Sequence, residues 1–389
     1  MINFDFYSPT KIYFGKNREN EVGEIIKKYG FKKVLLHYGQ NSIKKTGLYD
    51  KVILSLKNAE VSFIELSGVE PNPKIELVRQ GVKIVKDEQI DFILAVGGGS
   101  VIDSAKAIAC GAKVDFDPWL FNLHQKTPTD ALPVGVILTI SAAGSELSNS
   151  CVISDLDTYF KNGFNSDHIR PLFAIENPEL TYSVSKFQTG CGIVDILMHT
   201  IERYFTDTPE IEFAKNISEG LIKSVIDAGY KAIKEPSNYD ARSTLMIASS
   251  FSHNGLTGLG GKMYFTVHKL EHQISGTFDN VAHGAGLSVL FPAWAKWIYK
   301  EDLNSFVRFA KNIFNITEGT DDEIAYKGIL ALEKYFKDID MPTRFSDLGI
   351  TPESFEAMAS RITKNDTVKV VGFIELDKKA VLEIFELAK

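Results

Sequence analysis

Phe92-Ile-Leu-Ala-Val-Gly-Gly-Gly-Ser-Val-Ile-Asp-Ser-Ala-Lys-Ala-Ile-Ala109 reads as strand, glycine turn and helix. The apolar run at its start shows no polar alternation, as expected of a strand covered on both faces of a parallel sheet. Gly97, Gly98 and Gly99 lack a Cβ, so backbone N–H groups there can approach a ligand closely. The helix behind them adds unpaired N–H groups and positive dipole, a setting suited to phosphate. Ser100 and Asp103 have the spacing of an N-terminal capping pair. The order is G-G-G-S rather than G-x-G-x-x-G, so the usual dinucleotide fingerprint is absent. A tight turn without a ligand is the competing reading.

The alternation continues on both sides. Residues 12–14, 34–38, 61–66 and 134–139 read as strands, and 21–28, 49–57 and 75–88 as helices. This is the pattern of a mostly parallel sheet flanked by helices. Leu138-Thr-Ile-Ser-Ala-Ala-Gly-Ser-Glu146 follows a strand, and Thr139, Ser141 and Ser145 could bind a ribose or phosphate. An ordinary polar loop fits that stretch equally well. Lys161, taken alone, reads as a solvated lysine. Beyond residues 176–182 strand signals fade. Residues 212–234 carry Phe213, Ile217, Leu221 and Val225 on one helical face. Asp240 reads as the N-cap of the next helix and Gly255 as the residue past its end. Pro352 opens another helix, and 377–387 is a last amphipathic one. The expected organisation is an α/β domain over 1–183 and an all-α domain over 184–389.

Within the second domain, Asp195 and His199 stand four apart on one apolar helix, so their side chains share a face. His268 and His272 repeat that spacing, and His283 follows a turn-like stretch. Three of the chain's eight histidines thus crowd into one short segment. Histidine is the commonest metal ligand. One aspartate with three neutral imidazoles leaves a divalent ion open to a substrate oxygen. A surface histidine cluster is the alternative.

A chain of 389 residues has room for about two domains. Its net charge of −7 argues against a nucleic-acid partner. No apolar run approaches a membrane span, and the first residues lack the pattern of a signal peptide. Cys110, Cys151 and Cys191 are scattered with no C-x-x-C pair, which suits a reducing cytoplasm and argues against a thiolate metal site.

Taken together, Gly97 to Lys106, Glu70-Pro-Asn-Pro73, Gly144-Ser-Glu146, Asp195-x-x-x-His199 and His268-x-x-x-His272…His283-Gly carry a resemblance. The chain resembles the iron-containing (group III) alcohol dehydrogenases nearly end to end, and within them the NADPH-dependent butanol dehydrogenases. The resemblance implies a dehydroquinate synthase-like architecture: an N-terminal dinucleotide-binding α/β domain, a C-terminal helical metal domain, and an active site in the cleft between them. It implies NADP(H), with NAD(H) as the other choice, one Fe²⁺ or Zn²⁺, and a homodimer. Asp195, His199, His268 and His283 match the family's metal ligands, and His272 a histidine beside the metal. Asn72, Thr139, Ser141, Asn149 and Lys161 match cofactor-contacting positions. Two departures stand out. Leu138-Thr139-Ile140 replaces a common Pro-Thr-Thr, and Gly39-Gln-Asn-Ser42 replaces a more glycine-rich turn.

The implied activity is hydride transfer between a nicotinamide and a primary alcohol or aldehyde such as butanol or butyraldehyde, with the metal as Lewis acid. His272 is placed to relay the proton. Residues 39–45 contain no acid that would repel a 2′-phosphate, Gly39 leaves room and Ser42 can donate a hydrogen bond, which points to NADP(H). Dehydroquinate-synthase-like lyases and polyol dehydrogenases share the scaffold. The former need a Lys/Arg cluster, and here only Lys262 and Lys269 lie near His268. A two-metal phosphohydrolase would want more carboxylates than Asp195 supplies. A non-enzymatic metal-binding protein is the remaining option.

Overall fold

The computed structural model describes residues 1–158 and 160–389. The strands are β1 (Lys11–Phe14), β2 (Lys33–Gly39), β3 (Ser62–Val69), β4 (Phe92–Gly97), β5 (Val134–Leu138), β6 (Ser150–Asp155), β7 (Phe160–Asn165) and β8 (Phe173–Glu176). Helices in the first part are α1 (Val22–Lys28), α2 (Ser42–Lys45), α3 (Leu48–Asn58), α4 (Ile75–Asp87), α5 (Gly99–Gly111) and α6 (Trp119–Asn122). Then follow α7 (Lys186–Tyr204), α8 (Glu212–Lys234), α9 (Tyr239–His253), α10 (Thr266–Thr277) and α11 (His283–Ile298). The last are α12 (Leu303–Phe314), α13 (Asp321–Asp338), α14 (Phe355–Ile362) and α15 (Lys378–Leu387).

Six strands form one parallel sheet in the order β1-β8-β5-β4-β2-β3. Successive side chains of a strand point to opposite faces. Val34, Leu36, Leu94 and Val96 enter one apolar cluster, while Leu35, Ile93 and Ala95 enter the other. Both faces are covered, which is why the strands read as unbroken apolar runs. From β2 the chain steps outward to β3, then returns to place β4 on the other side of β2. Strand order therefore reverses between β2 and β4, and ligands of open α/β sheets bind beyond the strand ends at such a reversal. Tyr38 pairs with Val96 there, so Gly39 and the turn Gly97–Gly99 emerge side by side.

The chain divides into two compact units. One comprises Tyr7–Val184 with Pro236–Asn254, the other Met1–Phe6 with Ser185–Glu235 and Gly255–Lys389. The single boundary expected between 183 and 184 does not describe this, because α9 packs with the sheet-bearing unit. Its Met246 is wholly buried in one of the sheet's apolar clusters. Periodicity marks α9 as a helix and cannot say against what it packs.

Three local readings change. β6 and β7 form an antiparallel hairpin in a stretch where the sequence shows no clear strand alternation. The N-cap of α9 is Asn238, whose side chain accepts from Ala241 N at 3.0 Å, and Asp240 lies in the first turn. Gly255 does follow the helix, with φ +104. At α5 the cap is Gly98, with no side-chain cap bond. Asp103 instead turns inward, where Oδ1 accepts from Ser145 Oγ at 2.5 Å and Oδ2 from Val152 N at 2.9 Å.

In the helical unit, α7 is almost wholly buried. A Cβ on Gly284 would lie 2.2 Å from the Cys191 carbonyl oxygen, so the start of α11 rests directly on the α7 backbone. Among the described residues no helix is long and apolar enough to cross a membrane.

Candidate functional site

α7 carries Asp195 and His199 one turn apart, α10 carries His268, and His283 opens α11. Their donor atoms converge. From Asp195 Oδ1 it is 3.3 Å to His199 Nδ1, 3.6 Å to His268 Nε2 and 3.8 Å to His283 Nε2. Four ligands about 2.1 Å from a tetrahedral metal lie roughly 3.4 Å from one another. The Asp195, His199 and His268 donors are close enough together to hold one small divalent ion, and His283 Nε2 stands at the edge of that group, nearest to Asp195. Asp195, His199 and His268 are buried. Asp195 Oδ1 and His268 Nε2 are buried with no hydrogen-bond partner among the described residues. Leaving such atoms unpaired costs about 1–3 kcal/mol each, more for a charge, and a cation between them removes that cost.

Two further carboxylates complete the arrangement, and sequence reasoning did not single them out. Glu202 Oε2 accepts from His268 Nδ1, and Glu271 Oε2 from His283 Nδ1. With Nδ1 donating, each Nε2 lone pair is left facing Asp195. Glu202 also accepts from the backbone N–H of Val267 at 2.6 Å and of His268 at 3.2 Å. It thus caps the start of α10, where Phe265 at φ +52 provides no side-chain cap. Glu271 is fully buried, and Gly286 makes room for it: a Cβ there would lie 2.8 Å from Glu271 Cγ. The only trace of these residues in the sequence is position, since Glu202 lies three beyond His199 and Glu271 three beyond His268. The surplus of negative charge is felt by His268. With no cation between the carboxylates, burial opposes its protonation, yet Glu202 and Asp195 push its pKa up to about 9; a metal binding there displaces that proton. His272 is half-buried, its ring 5.4 Å from that of His283 and 6.4 Å from that of His268. It lies beside the converging atoms and groups with Glu271 and His283.

In the sheet-bearing unit, Gly39, Gly97–Gly99 and Thr139 meet at the C-terminal ends of neighbouring strands. Thr139 N donates to Gly97 O at 3.1 Å. The turn glycines also answer packing needs, for a Cβ on Gly98 would lie 2.3 Å from Ile140 Cγ2. Ser100, in the first turn of α5, is half-buried. Asn72 takes a left-handed φ of +54. The next residue, Pro73, accepts from Ser154 N at 2.8 Å, and Ser154 pairs with Lys161 across the hairpin. Asn72 and Lys161 are thereby brought to one place, and Lys161 is buried rather than solvated. Ser141 Oγ is buried without a hydrogen-bond partner among the described residues. Asn149 Nδ2 donates to Asp167 at 3.3 Å. Asp103 commits both oxygens to protein groups and so stands apart from the others. Ser42 is exposed, and Lys44 lies over the rings of Tyr38 and Tyr49 at 5.4 and 4.9 Å.

Comparison with known proteins bears on both units. Residues 9–178 match the family described as iron-containing alcohol dehydrogenase, and residues 189–389 the C-terminal family of Fe-containing alcohol dehydrogenases. NADH-dependent butanol dehydrogenase A of Clostridium acetobutylicum is 38% identical over 99% of each chain. NADPH-dependent aldehyde reductase YqhD of Escherichia coli is 35% identical over 100% of each chain. The crystal structure of NADH-dependent butanol dehydrogenase A from Thermotoga maritima superposes with a TM-score of 0.96 at 37% identity, covering 100% of this chain and 99% of that one.

Proposed function

Since the chain belongs to the iron-containing alcohol dehydrogenase family, we propose that it transfers a hydride between NADP(H) and a primary alcohol or aldehyde of the butanol/butyraldehyde kind. Asp195, His199, His268 and His283 would hold one Fe²⁺ or Zn²⁺. When bound, the metal supplies Lewis acidity toward a substrate oxygen. The observation that carries this reading is the convergence of the Asp195, His199 and His268 donors on a buried point, where Asp195 Oδ1 and His268 Nε2 have no hydrogen-bond partner among the described residues, with His283 Nε2 3.8 Å from Asp195 Oδ1. Glu202 and Glu271 hold two of the imidazoles in the orientation that binding needs. His272, at the rim of the cluster, takes the alcohol proton toward solvent. Gly97–Gly99 and Ser100 cradle the pyrophosphate at the start of α5, while Gly39, Ser42, Asn72, Thr139, Ser141, Asn149 and Lys161 contact the rest of the dinucleotide. Asp103 acts behind them, through Ser145.

The lyase alternative on this scaffold needs free cations for an anionic substrate. Lys262 is paired with Asp207 at 3.2 Å, and Arg203 donates to the His199 carbonyl at 2.5 Å and lies over the Phe265 ring. An uncharged substrate suits these surroundings better.

The absence of an acid from residues 39–45 supports NADP(H). A second reading, NAD(H), draws on Glu70: Gln40 Nε2 lies 3.5 Å from its carboxylate, which places an acid beside the turn. The named relatives divide in the same way. The reading also takes the protein as a homodimer of the reducing cytoplasm. Exposed Met1, Ile2, Phe4, Phe6 and Tyr7 support the first and three free, buried cysteines the second. The test is a panel of aldehydes with NADPH and NADH after reconstitution with Fe²⁺ and with Zn²⁺. A charge-assisted contact to the 2′-phosphate is worth roughly 1.5–3 kcal/mol, so kcat/KM should favour NADPH by about tenfold or more. Gly39→Asp should shift that preference toward NADH. Equal rates with the two cofactors would overturn the NADP(H) assignment, and no turnover with either would overturn the enzyme reading.

A further inference from the structure

α9 is joined to the loop after β5 by a chain of buried hydroxyls and carboxyls. Ser249 Oγ accepts from Ala142 N at 3.1 Å and donates to Ala142 O at 3.2 Å. Gly144, at φ +65, leaves no space above the helix: a Cβ there would lie 2.4 Å from Ser249 O. Next along the helix, Ser250 Oγ lies 2.7 Å from Glu146 Oε1, in that loop, and 2.9 Å from Glu176 Oε1, at the end of β8. A third neighbour, the Met246 carbonyl, is 3.4 Å away.

A serine hydroxyl carries one hydrogen. Were both carboxyls ionised, one of the two short contacts would have no proton in it and would set a charged oxygen against a lone pair. One carboxyl must therefore carry the other proton. The surroundings select which one. Glu176 is fully buried, and its Oε2 has no hydrogen-bond partner among the described residues, as suits a neutral acid. Burial raises the Glu146 pKa too, but the Ser250 hydroxyl, its own backbone N–H and the Lys106 ammonium all work against that rise. Burial, reinforced by Glu146, raises the Glu176 pKa well above the carboxylate range.

We propose that Glu176, held as a neutral acid, donates to Ser250, which donates to Glu146, and that this relay is a positioning clamp fixing the 141–146 loop for dinucleotide binding. The role assigned to the loop rests on the function proposed above. α5 holds the same segment from its other side. Lys106 Nζ donates to Ser145 O at 2.6 Å and to Ser148 O at 2.9 Å, and Ser145 Oγ donates to Asp103. Ser141, whose hydroxyl is unpartnered among the described residues, lies within the clamped stretch.

The experiment uses the metal-loaded full chain. Infrared spectra at neutral pH should show the carbonyl band of a protonated carboxylic acid, lost in Glu176→Gln. That variant keeps a donor toward Ser250 and should bind NADPH and NADH with nearly wild-type Kd. Ser250→Ala breaks the relay and should raise Kd and KM for the dinucleotide by about tenfold. Its metal content and its kcat at saturating cofactor should change little. Wild-type protein that binds neither dinucleotide would overturn the functional reading, and the clamp's role with it. Dinucleotide binding without the infrared band, or Ser250→Ala with unchanged affinity, would overturn the clamp alone. So would Glu176→Gln if it behaved like Ser250→Ala.

Discussion

At the scale of single residues, the candidate metal centre makes a graded prediction. His268→Ala or His283→Ala removes a donor outright and should abolish most metal binding and turnover, while binding of the nicotinamide dinucleotide should persist. Glu271→Gln leaves all four donors and changes only what orients His283. Loss of such a partner typically costs 10–100-fold in metal affinity. Competition with a chelator measures both effects, and full metal content in the histidine variants would refute the ligand set. His37 makes a different prediction. It is fully buried, with Nδ1 at 2.9 Å from Leu66 O and Nε2 at 2.8 Å from Ser104 Oγ. Burial pushes its pKa down from 6.5 to about 4. The unfolded chain therefore takes up this proton at higher pH than the folded one. Stability contributed by neutral His37 is complete above pH 6.5 and falls as pH drops toward 4. At 1.36 kcal/mol per unit the loss approaches about 3 kcal/mol. Urea unfolding at pH 7 and pH 4.5 measures it, and His37→Gln should flatten the difference.

At the scale of elements, the three helices bearing the histidines are held together by backbone proximity and by borrowed caps. Gly284→Ala would drive a methyl group into the Cys191 carbonyl on α7. Overpacking typically costs about 1–3 kcal/mol, and a backbone obstacle places this variant at the upper end. Because α11 would shift away from α7, the variant should lose metal affinity along with melting temperature. A lower melting temperature with wild-type metal affinity would show that the His283 end of α11 is not placed by this contact. The i, i+4 spacing of Asp195 with His199, and of His268 with His272, was legible because helical periodicity is a local property. Glu202 and Glu271 were not, because what marks them is a bond to a ring 66 and 12 residues away in the chain. The β6–β7 hairpin escaped for a related reason. Ser150–Asp155 buries residues at both phases of the strand, so no alternation survives in the sequence.

At the scale of the whole molecule, the expected homodimer leads to a size measurement. Met1, Ile2, Phe4, Phe6 and Tyr7 lie exposed, and a second copy could cover them. Light scattering should give twice the chain mass of 43.3 kDa, and charged substitutions at Phe4 and Phe6 should lower it. A monomeric wild type would refute the expectation. The sequence alone determined the order of structural classes along the chain: apolar strand runs, a glycine turn opening a helix, then amphipathic helices to the end. It also determined which helix faces carry the Asp and His residues, since both properties follow from periods of two and 3.6 residues. Only the tertiary structure decided that α9 packs with the sheet-bearing unit. It alone turned Asp103 inward onto Ser145 and set the Glu146 and Glu176 carboxyls on the one Ser250 hydroxyl. The reason is physical: a period reports which side of an element is buried, whereas burial beside a particular distant partner fixes where a hydrogen bond or a proton must go.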